Sequence, residues 1–302
     1  MGMRILILAV FFAGLGLGLD AFWWEPSSLR LARYDVALDA PALKGLKIAV
    51  IADLHGGAPY IGTAKIDQMV ALTNAAHPDL ILLVGDYVIQ GVLGGHHMPI
   101  ETIVAHLKSL SAPFGVYAVL GNHDRWESAS GITRAFERGG IPVLENAAMQ
   151  FKRGQAIVTL VGVGDHYSGG SDVKQAMAGV PRNAQAICFT HSPDVFPDLP
   201  RSCALTLAGH THGGQVRLPI LGRIAVAHQS IYGQRYAIGV IRENGKTLFV
   251  SPGIGTSGLP VRFMVSPEIS PVTSASKSSS FLEALMAASA LWFPSLSNAR
   301  NF

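Results

Sequence analysis

Short apolar stretches that end in clusters of Asp, Asn, His and Gly are the feature that most constrains the fold of this chain. Runs of four to eight Ile, Val and Leu residues are typical of strands buried on both faces. Predicted strands occupy residues 47–52, 80–84, 116–120, 157–163, 186–190 and 204–208. Amphipathic helices are predicted at 63–77 and 99–110. Because strands that alternate with helices pair in parallel through right-handed crossovers, the sequence predicts an α/β fold.

The chain changes character after His212, where Gly-rich and strand-like pieces replace the alternation. Residues 236–242 and 247–250 flank Asn244-Gly245, which is a hairpin signature. Residues 25–46 are predicted to form a linker and a first strand. Residues 271–302 are predicted to form a loose Ser-rich tail with a short apolar helix at 281–293.

The N-terminus contains an unbroken apolar run at residues 5–19, followed by Asp20 and the pair Trp23-Trp24. A membrane span needs about 20 apolar residues, and Trp is enriched at the membrane interface. We therefore expect a single uncleaved anchor over residues 1–24. A cleaved signal peptide and a buried core helix are the alternatives. Arg4 lies on one side of the run and Arg30 on the other, so the side of the membrane stays open.

Composition excludes two classes of protein. The chain is 49% hydrophobic and 14% charged, which excludes global disorder. Its formal net charge of +3 is too small for an electrostatic nucleic-acid binder. Cys188 and Cys203 are too few for a disulfide framework or a thiolate metal cluster, and their apolar surroundings predict buried, unreactive thiols. Nothing in the composition determines the oligomeric state.

The polar clusters that follow the predicted strands are candidate metal ligands. They are Asp53 and His55, then Asp86, then Asn122, His123 and Asp124, then His191, and finally His210 and His212. In open α/β sheets, sites form beyond the carboxyl ends of the strands, so these side chains can converge. Oxygen and nitrogen donors without a thiolate suit Mn²⁺, Fe²⁺ or Zn²⁺. The set is too large for one tetrahedral ion and fits two ions.

Each motif is weak when it is taken alone. Asp-x-His is common, and Gly-Asp is an ordinary turn pair. Gly-His-Thr-His is more specific, because the imidazoles of His210 and His212 share a side if the backbone is extended. The ordered set carries the prediction of a metal site. Asp165 and His166 follow another predicted strand and are weaker candidates for the lining of the site.

These ordered motifs resemble those of the calcineurin-like metallophosphoesterases, over roughly residues 47–269. Within that superfamily the chain is similar to the membrane-associated bacterial phosphodiesterase branch. The features that carry this second resemblance are the apolar N-terminus with Glu25-Pro26 and the segments 213–219, 251–255, 259–263 and 267–269. The resemblance implies a four-layer α/β/β/α sandwich, with two mixed β-sheets flanked by helices, over residues 47–270.

The resemblance also implies a role for each matched residue. Asp53, His55 and His212 would hold a first metal ion, and Asn122, His191 and His210 would hold a second. Asp86 would bridge the two, and Mn²⁺ is expected ahead of Fe²⁺ or Zn²⁺. His123 would be the general acid, oriented by Asp124. Arg217, Arg262 and Tyr167 are weaker candidates for contact with the substrate.

The implied activity is that of a dinuclear metal-dependent phosphoric ester hydrolase, a phosphodiesterase or pyrophosphatase in which bound hydroxide attacks phosphorus. With the predicted anchor, the expected substrate is a phosphate ester at the bacterial inner membrane, such as a UDP-diacylglucosamine-type lipid precursor. A phosphomonoesterase or phosphoprotein phosphatase is one alternative. A non-catalytic scaffold is another, which the complete set of ligands and His123 disfavours.

Overall fold

Two six-stranded β-sheets form the centre of the molecule. The computed structural model describes residues 2–276. The strands in chain order are β1 (Arg30–Leu31), β2 (Tyr34–Leu38), β3 (Lys47–Ile51), β4 (Leu80–Val84), β5 (Val116–Val119), β6 (Ala147–Arg153), β7 (Ala156–Gly162), β8 (Ala186–Phe189), β9 (Cys203–Ala208), β10 (Gly239–Glu243), β11 (Lys246–Val250) and β12 (Glu268–Ser276).

Both sheets are mixed. The first has the order β1-β12-β3-β4-β5, with β2 also paired to β12. In it β3, β4 and β5 are parallel, and β12 is antiparallel to β3. The second has the order β10-β11-β9-β8-β7-β6, with antiparallel strands at its two edges and parallel strands between them. The carboxyl ends of the central parallel strands therefore lie at one edge of each sheet.

Helices lie outside the two sheets, and the first of them, at the N-terminus, contains no buried residue. They are α1 (Gly2–Leu19), α2 (Glu25–Ser27), α3 (Thr63–Ala75), α4 (Ile100–Leu107), α5 (Asn122–Arg138) and α6 (Val173–Ala176), and a π-helical turn at Asp20–Trp24 joins α1 to α2. Ile66 of α3 and Ile103 of α4 pack with Leu83 on the outer face of the first sheet. Short 3₁₀ turns contribute apolar side chains that pack on the outer face of the second sheet. Phe196, in one of these turns, shares an apolar cluster with Val161.

A buried core holds the two sheets together. Val50 and Leu82 of the first sheet share an apolar cluster with Phe189, Leu207 and Phe249 of the second. All five side chains are completely buried. The predicted sandwich of two mixed sheets flanked by helices is confirmed, and the rigid core fixes the two carboxyl-end edges relative to one another.

The predicted hairpin is confirmed, although it is shorter than expected. Strand β10 begins at Gly239, because a 3₁₀ turn occupies Gly233–Tyr236. Asn244 and Gly245 both have positive φ, which two-residue turns of the primed type require. Helix α5 and strand β6 were not predicted, because neither stretch has the strong apolar periodicity of the other elements.

The prediction of a loose tail from residue 271 is wrong for residues 271–276. Strand β12 continues to Ser276 and lies in the middle of the first sheet, next to β3. Its serines are compatible with burial because they are hydrogen-bonded: Ser270 donates to Glu268 and Ser274 to the carbonyl of Leu43. The predicted helix at 281–293 lies outside the described residues.

The prediction that Cys188 and Cys203 are free thiols is also wrong, because the two form a disulfide. They lie on the neighbouring strands β8 and β9, with Cα atoms 5.6 Å apart. Their separation of 15 residues along the chain hides this proximity. Disulfides are typical of proteins in oxidising compartments.

We expect the double substitution Cys188→Ala and Cys203→Ala to lower the free energy of unfolding by about 3 kcal/mol, because a loop of this length is no longer closed in the unfolded chain. Urea denaturation in detergent would measure the change. The control is wild-type protein treated with a thiol reductant, which should shift by a similar amount. Two titratable thiols in the denatured, unreduced protein would contradict the assignment.

Candidate metal centre

The polar motifs that follow the strands do converge. Asp53 and His55 follow β3, Asp86 follows β4, His191 follows β8, and the His210–His212 turn follows β9. Asn122 is the first residue of α5, just after β5. All of these side chains are buried or nearly so. The interface between the two sheets therefore brings side chains from both sheets into one cluster at their carboxyl ends.

The cluster contains two groups with the spacing of metal ligands. In the first, His55 Nε2 lies 3.1 Å from His212 Nε2, and His212 Nε2 lies 3.6 Å from Asp53 Oδ1. In the second, His191 Nε2 lies 3.1 Å from His210 Nδ1 and 3.2 Å from Asn122 Oδ1. The ligand atoms of Asp53, His55 and His212 all lie within 4.8 Å of one another, and so do those of Asp86, His191 and His210.

Asp86 joins the two groups. Its Oδ2 lies 3.5 Å from His55 Nε2 and 3.2 Å from His191 Nε2. Its Oδ1 accepts a hydrogen bond of 3.0 Å from the backbone N–H of His123. One carboxylate oxygen therefore faces imidazoles of both groups, which is the arrangement expected of a bridging ligand.

The backbone at the site lies in a sparsely populated conformation. Asp53, His55, Asp86, His210 and His212 all have positive φ, although none of them is glycine. Such conformations cost about 1–3 kcal/mol each and persist where the surrounding structure holds them. A residue with a side chain does not fit at position 85, where Gly85 has φ +94°. A Cβ there would lie 2.6 Å from the backbone N of Gly121 and 2.7 Å from His191 Nδ1.

Hydrogen bonds orient several of these side chains. The Nδ1 of His191 donates to the carbonyl of Val84 at 2.8 Å, which directs its Nε2 into the cluster. The backbone N–H of His210 donates to both carboxylate oxygens of Asp53 at 3.0 Å. The second sheet thus holds the Asp53 carboxylate that follows β3 of the first.

Burial keeps most of the imidazoles neutral. It lowers the pKa of His55 to about 3, that of His210 to about 4, and that of His212 well below its usual value. Metal ligation requires neutral imidazoles, so these side chains are ready to bind at neutral pH.

The two carboxylates respond differently to burial. Burial raises the pKa of Asp53 to about 7. Burial acts in the same direction on Asp86, but the charge and hydrogen bond of His191, together with His55 and His123, hold the pKa of Asp86 well below its usual range. Burial disfavours the imidazolium of His191, and yet the carboxylate of Asp86 raises its pKa well above the ordinary value. Asp86 is therefore the permanent negative charge at the centre of the cluster.

The donor set fits divalent metal ions. The Nε2 atoms of His55 and His212 face each other at a distance where two lone pairs repel unless a proton or a cation lies between them. Imidazole, carboxylate and amide ligands without thiolate suit borderline and hard divalent ions. The clustered His and Asp residues can hold such ions, and the metal's identity stays open.

A cavity of about 210 Å³ opens over the cluster. Its lining residues are Asp86, Asn122, His123, Trp126, Tyr167, His210, His212, Gln229 and Ser257. The His123 imidazole lies at its wall, with Nε2 3.9 Å from Asp86 Oδ2. The predicted acid is thus beside the candidate metal ligands and in contact with the cavity.

The structure does not contain the expected hydrogen bond between Asp124 and the His123 ring. Asp124 Oδ2 accepts from the backbone N–H groups of Asp86 and Gly121, and its Oδ1 accepts from Tyr87 and Val88. The His123 Nδ1 has no partner among the described residues. Asp124 caps the first turn of α5 and holds the loop that carries Asp86, so its role is to position the metal ligand.

Sequence reasoning missed Trp126, which is 55% exposed. Its ring lies 5.3 Å from that of His123, and the Tyr167 ring lies 4.6 Å from that of His210. Trp126 lies one helical turn after Asn122 and His123 on α5. This spacing in the sequence could have indicated that the three side chains share one face of the helix. Trp126 and Tyr167 form an aromatic wall on one side of the cavity.

Asp165 and His166 do not line the cavity. The carboxylate of Asp165 accepts from the backbone N–H and the hydroxyl of Ser168, at 2.7 and 2.6 Å. His166 Nδ1 lies 3.2 Å from the Ser171 hydroxyl. These bonds hold the loop that presents Tyr167 at the cavity. Contact of Asp165, His166 or Tyr167 with a substrate stays a prediction.

Arg262 and Arg217 do not line the cavity either. Arg262 is completely buried, and its guanidinium donates to the carbonyls of Pro252, Gly255 and Val265. Its role is structural, because it holds these backbone segments together. Arg217 is exposed and pairs through its backbone with Phe263.

Comparison with known proteins agrees with this geometry. The profile of the family "Metallophos: Calcineurin-like phosphoesterase" matches residues 46–236, which is more than half of the chain. The chain belongs to this family. Its matched segment includes every candidate metal ligand named above.

Curated relatives cover most of the chain. An uncharacterized metallophosphoesterase of Bacillus subtilis, YkuE, is 28% identical over 86% of this chain and 90% of its own length. The phosphodiesterase YaeI of Escherichia coli is 30% identical over 77% of this chain and 83% of its own length. A transmembrane protein with a metallophosphoesterase domain from Danio rerio is 28% identical over 76% of this chain, which spans 53% of that protein.

We expect Asp86→Ala to abolish metal binding in both groups, because a single carboxylate faces imidazoles of both. Elemental analysis of the purified protein would measure this, with Asp172→Ala as a control that removes an exposed carboxylate from the cap of α6. Retention of a full metal complement by the Asp86 variant would contradict the bridging arrangement.

Proposed function

We propose that this protein is a dinuclear metal-dependent phosphodiesterase that acts on a phosphate ester at the membrane surface. The observation that carries this proposal is the position of Asp86, whose single oxygen lies within 3.5 Å of imidazoles from two separate ligand groups. A carboxylate oxygen that two ligand groups share can bind two adjacent cations at once. Membership of a phosphoesterase family gives those cations a phosphate ester as their natural target.

The proposed ligands of the first ion are Asp53, His55 and His212, and those of the second are Asn122, His191 and His210. Divalent ions held by these residues would supply the positive charge that polarises phosphoryl oxygens and lowers the pKa of a water molecule. We propose Mn²⁺, with Fe²⁺ and Zn²⁺ as alternatives. Asp86, held by the His123 N–H and kept ionised by the imidazoles, keeps the two ligand groups together.

His123 is the proposed general acid. Its ring lies at the wall of the cavity, and burial lowers its pKa, although Asp86 acts in the opposite direction. A lowered pKa makes the protonated imidazole a stronger proton donor to a departing alkoxide. His123 directly follows Asn122 in the chain, so the acid is held at a constant distance from a proposed ligand.

Two observations favour a diester over a monoester. One relative carries the printed name phosphodiesterase. The exposed aromatic wall of Trp126 and Tyr167, beside the cavity, also offers a surface for the second ester group of an extended substrate.

The N-terminal helix supports a location at the membrane. Residues Gly2–Ser27 form a helix that is long and apolar enough to cross a bilayer, and 6% of its most apolar window is buried. Glu25 ties the base of this helix to the catalytic domain by accepting hydrogen bonds of 2.7 Å from the N–H groups of Met264 and Val265. We propose a bacterial inner-membrane protein whose substrate is a lipid-linked phosphate ester.

The disulfide bears on the side of the membrane, which the flanking arginines leave open. Because disulfides persist in oxidising compartments, it favours a catalytic domain outside the cytoplasm. A UDP-diacylglucosamine-type pyrophosphate suits the same metal chemistry. Free Cys188 and Cys203 thiols in protein trapped from intact cells would indicate a cytoplasmic catalytic domain and would favour this substrate if it is presented on that side.

We expect purified full-length protein with added Mn²⁺ to hydrolyse bis-p-nitrophenyl phosphate faster than p-nitrophenyl phosphate. A diester has one more esterified oxygen than a monoester, so its phosphate group carries less negative charge. Release of p-nitrophenol would measure both rates. Faster turnover of the monoester would point to a phosphomonoesterase, and no turnover of either with any divalent ion would point to a scaffold.

We expect His123→Ala to retain its metals and to lose roughly 10²–10⁴-fold in rate on an alkyl diester, because the departing alkoxide then receives no proton. The loss should be smaller for a p-nitrophenyl ester, whose leaving group needs less protonation. His97→Ala is a matched control, since His97 is exposed and pairs with Glu127. An equal loss for both leaving groups would count against the acid role.

A further inference from the structure

Exposed apolar side chains surround the approach to the cavity on the side of the N-terminal helix. We call them the apolar rim, which consists of Leu93 (68% exposed), Ile220 (106%), Leu221 (61%), Leu259 (54%) and Met264 (52%). Several exposed apolar side chains on one side of a molecule are typical of a surface that contacts a protein partner or a membrane.

The rim is directly connected to the N-terminal helix. The backbone N–H of Arg262 donates to the carbonyl of Ala21 at 2.9 Å, and Met264 N–H donates to the Glu25 carboxylate at 2.7 Å. The exposed rings of Trp23 and Trp24 lie between these two contacts in the chain. Trp is enriched at the boundary between hydrocarbon and water, so this end of the helix is the level at which a bilayer surface is expected.

Two members of the rim, one of them its most exposed residue, lie at the tip of a hairpin. Leu218 and Gly222 exchange backbone hydrogen bonds of 2.9 Å, so Ile220 and Leu221 project between them. The base of the hairpin is paired with the segment that holds the helix, because Arg217 N–H donates to the carbonyl of Phe263 at 2.9 Å. The hairpin tip and the helix base therefore extend from one continuous piece of structure.

The same segment borders the cavity. Gln215 Nε2 donates to the carbonyls of Ser257 and Leu259, at 3.1 and 3.3 Å. Ser257 lines the cavity, and Leu259 belongs to the rim. Leu93 is held beside them, because its N–H donates to the carbonyl of Gly258 at 2.9 Å. The rim thus lies between the candidate metal ligands and the N-terminal helix.

The charge of the hairpin complements an anionic surface. Arg217 and Arg223 flank the apolar tip, and neither forms an ion pair with a carboxylate of residues 2–276. The Arg223 guanidinium donates to the carbonyl of Gly213 at 2.7 Å, immediately after His212. A basic residue near an anionic leaflet is attracted to it electrostatically. An apolar tip between basic residues is typical of segments that enter the headgroup region.

We propose that the apolar rim rests in the headgroup region of an anionic bilayer, with the tip Ile220-Leu221 inserted, so that the cavity opens onto the membrane surface and receives a phosphodiester from a lipid in that leaflet. This inference rests on the proposed function for its substrate. Its geometrical part, which is the contact of residues 220–221 with lipid, is independent of catalysis.

The contact is tested with full-length protein in phosphatidylcholine vesicles, with and without phosphatidylglycerol. A bimane label is attached at Leu221→Cys, and the matched control carries it at Ile157→Cys, an exposed apolar residue (57%) at the amino end of β7. We expect the emission of the label at 221 to shift to the blue and to be quenched by a headgroup-level nitroxide lipid, more strongly with phosphatidylglycerol. Arg217→Ala in the background of the labelled protein should reduce the effect of phosphatidylglycerol. The label at 157 should show neither change.

The catalytic consequence is tested with the double substitution Ile220→Glu and Leu221→Glu, and Ile157→Glu is the matched control. We expect turnover of hexadecyl p-nitrophenyl phosphate embedded in the vesicles to fall about tenfold, the equivalent of roughly 1.4 kcal/mol, while turnover of soluble bis-p-nitrophenyl phosphate is unchanged. Ile157→Glu should leave both rates at the wild-type level.

The outcomes separate the two proposals. Equal fluorescence of the labels at 221 and 157 would overturn the rim's contact with lipid, whatever the enzyme hydrolyses. If the label at 221 meets lipid but wild-type protein turns over neither ester, the proposed function fails and the contact stands. An equal loss on the soluble and the embedded ester would overturn the role of the rim in delivering the substrate.

Discussion

The Asp86 carboxylate imposes the constraint on which the rest of the site depends. A buried carboxylate is stable as an anion where positive charge and hydrogen bonds compensate for lost water, and imidazoles from both sheets surround this one. Its backbone N–H is held by Asp124, and its Oδ1 is held by the N–H of His123. The start of α5 therefore fixes both the bridging residue and the proposed acid. The fold provides a rigid frame for this cluster because the apolar core between the sheets prevents the two carboxyl-end edges from moving apart.

A second structural feature links that cluster to the N-terminal helix. The chain between β11 and β12 donates from Ile254 and Gly255 to the carbonyls of Ala52 and Asp53, and it binds the guanidinium of Arg262 through several carbonyls. The same segment then meets Ala21 and Glu25 at the base of the N-terminal helix. One stretch of chain thus touches the first ligand group, the cavity and the base of the N-terminal helix. If that helix is the proposed anchor, these contacts restrict the orientation of the domain relative to a bilayer.

Much of the fold and of the site could be predicted from local pattern. The apolar runs of β3, β4, β8 and β9 are unmistakable because parallel strands buried on both faces have continuous hydrophobic sequence. Strand β12 was misread because its Ser and Thr residues resemble a loop, and only the partners Glu268 and Leu43 make their burial acceptable. Asp124 and Arg262 have residue types that suit catalysis or binding, and yet both serve the backbone. The partners of a charged side chain are set by residues distant in sequence, which a motif does not contain.

The sequence by itself determined the identity and order of the candidate ligands, the alternation of strands and helices, and the apolar character of the N-terminus, because these depend on residue type and local periodicity. Only the tertiary structure decided that one oxygen of Asp86 lies within 3.5 Å of imidazoles of both ligand groups, that Cys188 and Cys203 are bonded, that Trp126 and Tyr167 flank the cavity, and that the 217–223 hairpin is paired with the segment that holds the N-terminal helix. Each of these facts joins segments that are separate in the chain, and their distances are fixed by the packing of the two sheets and of the loops at their carboxyl ends.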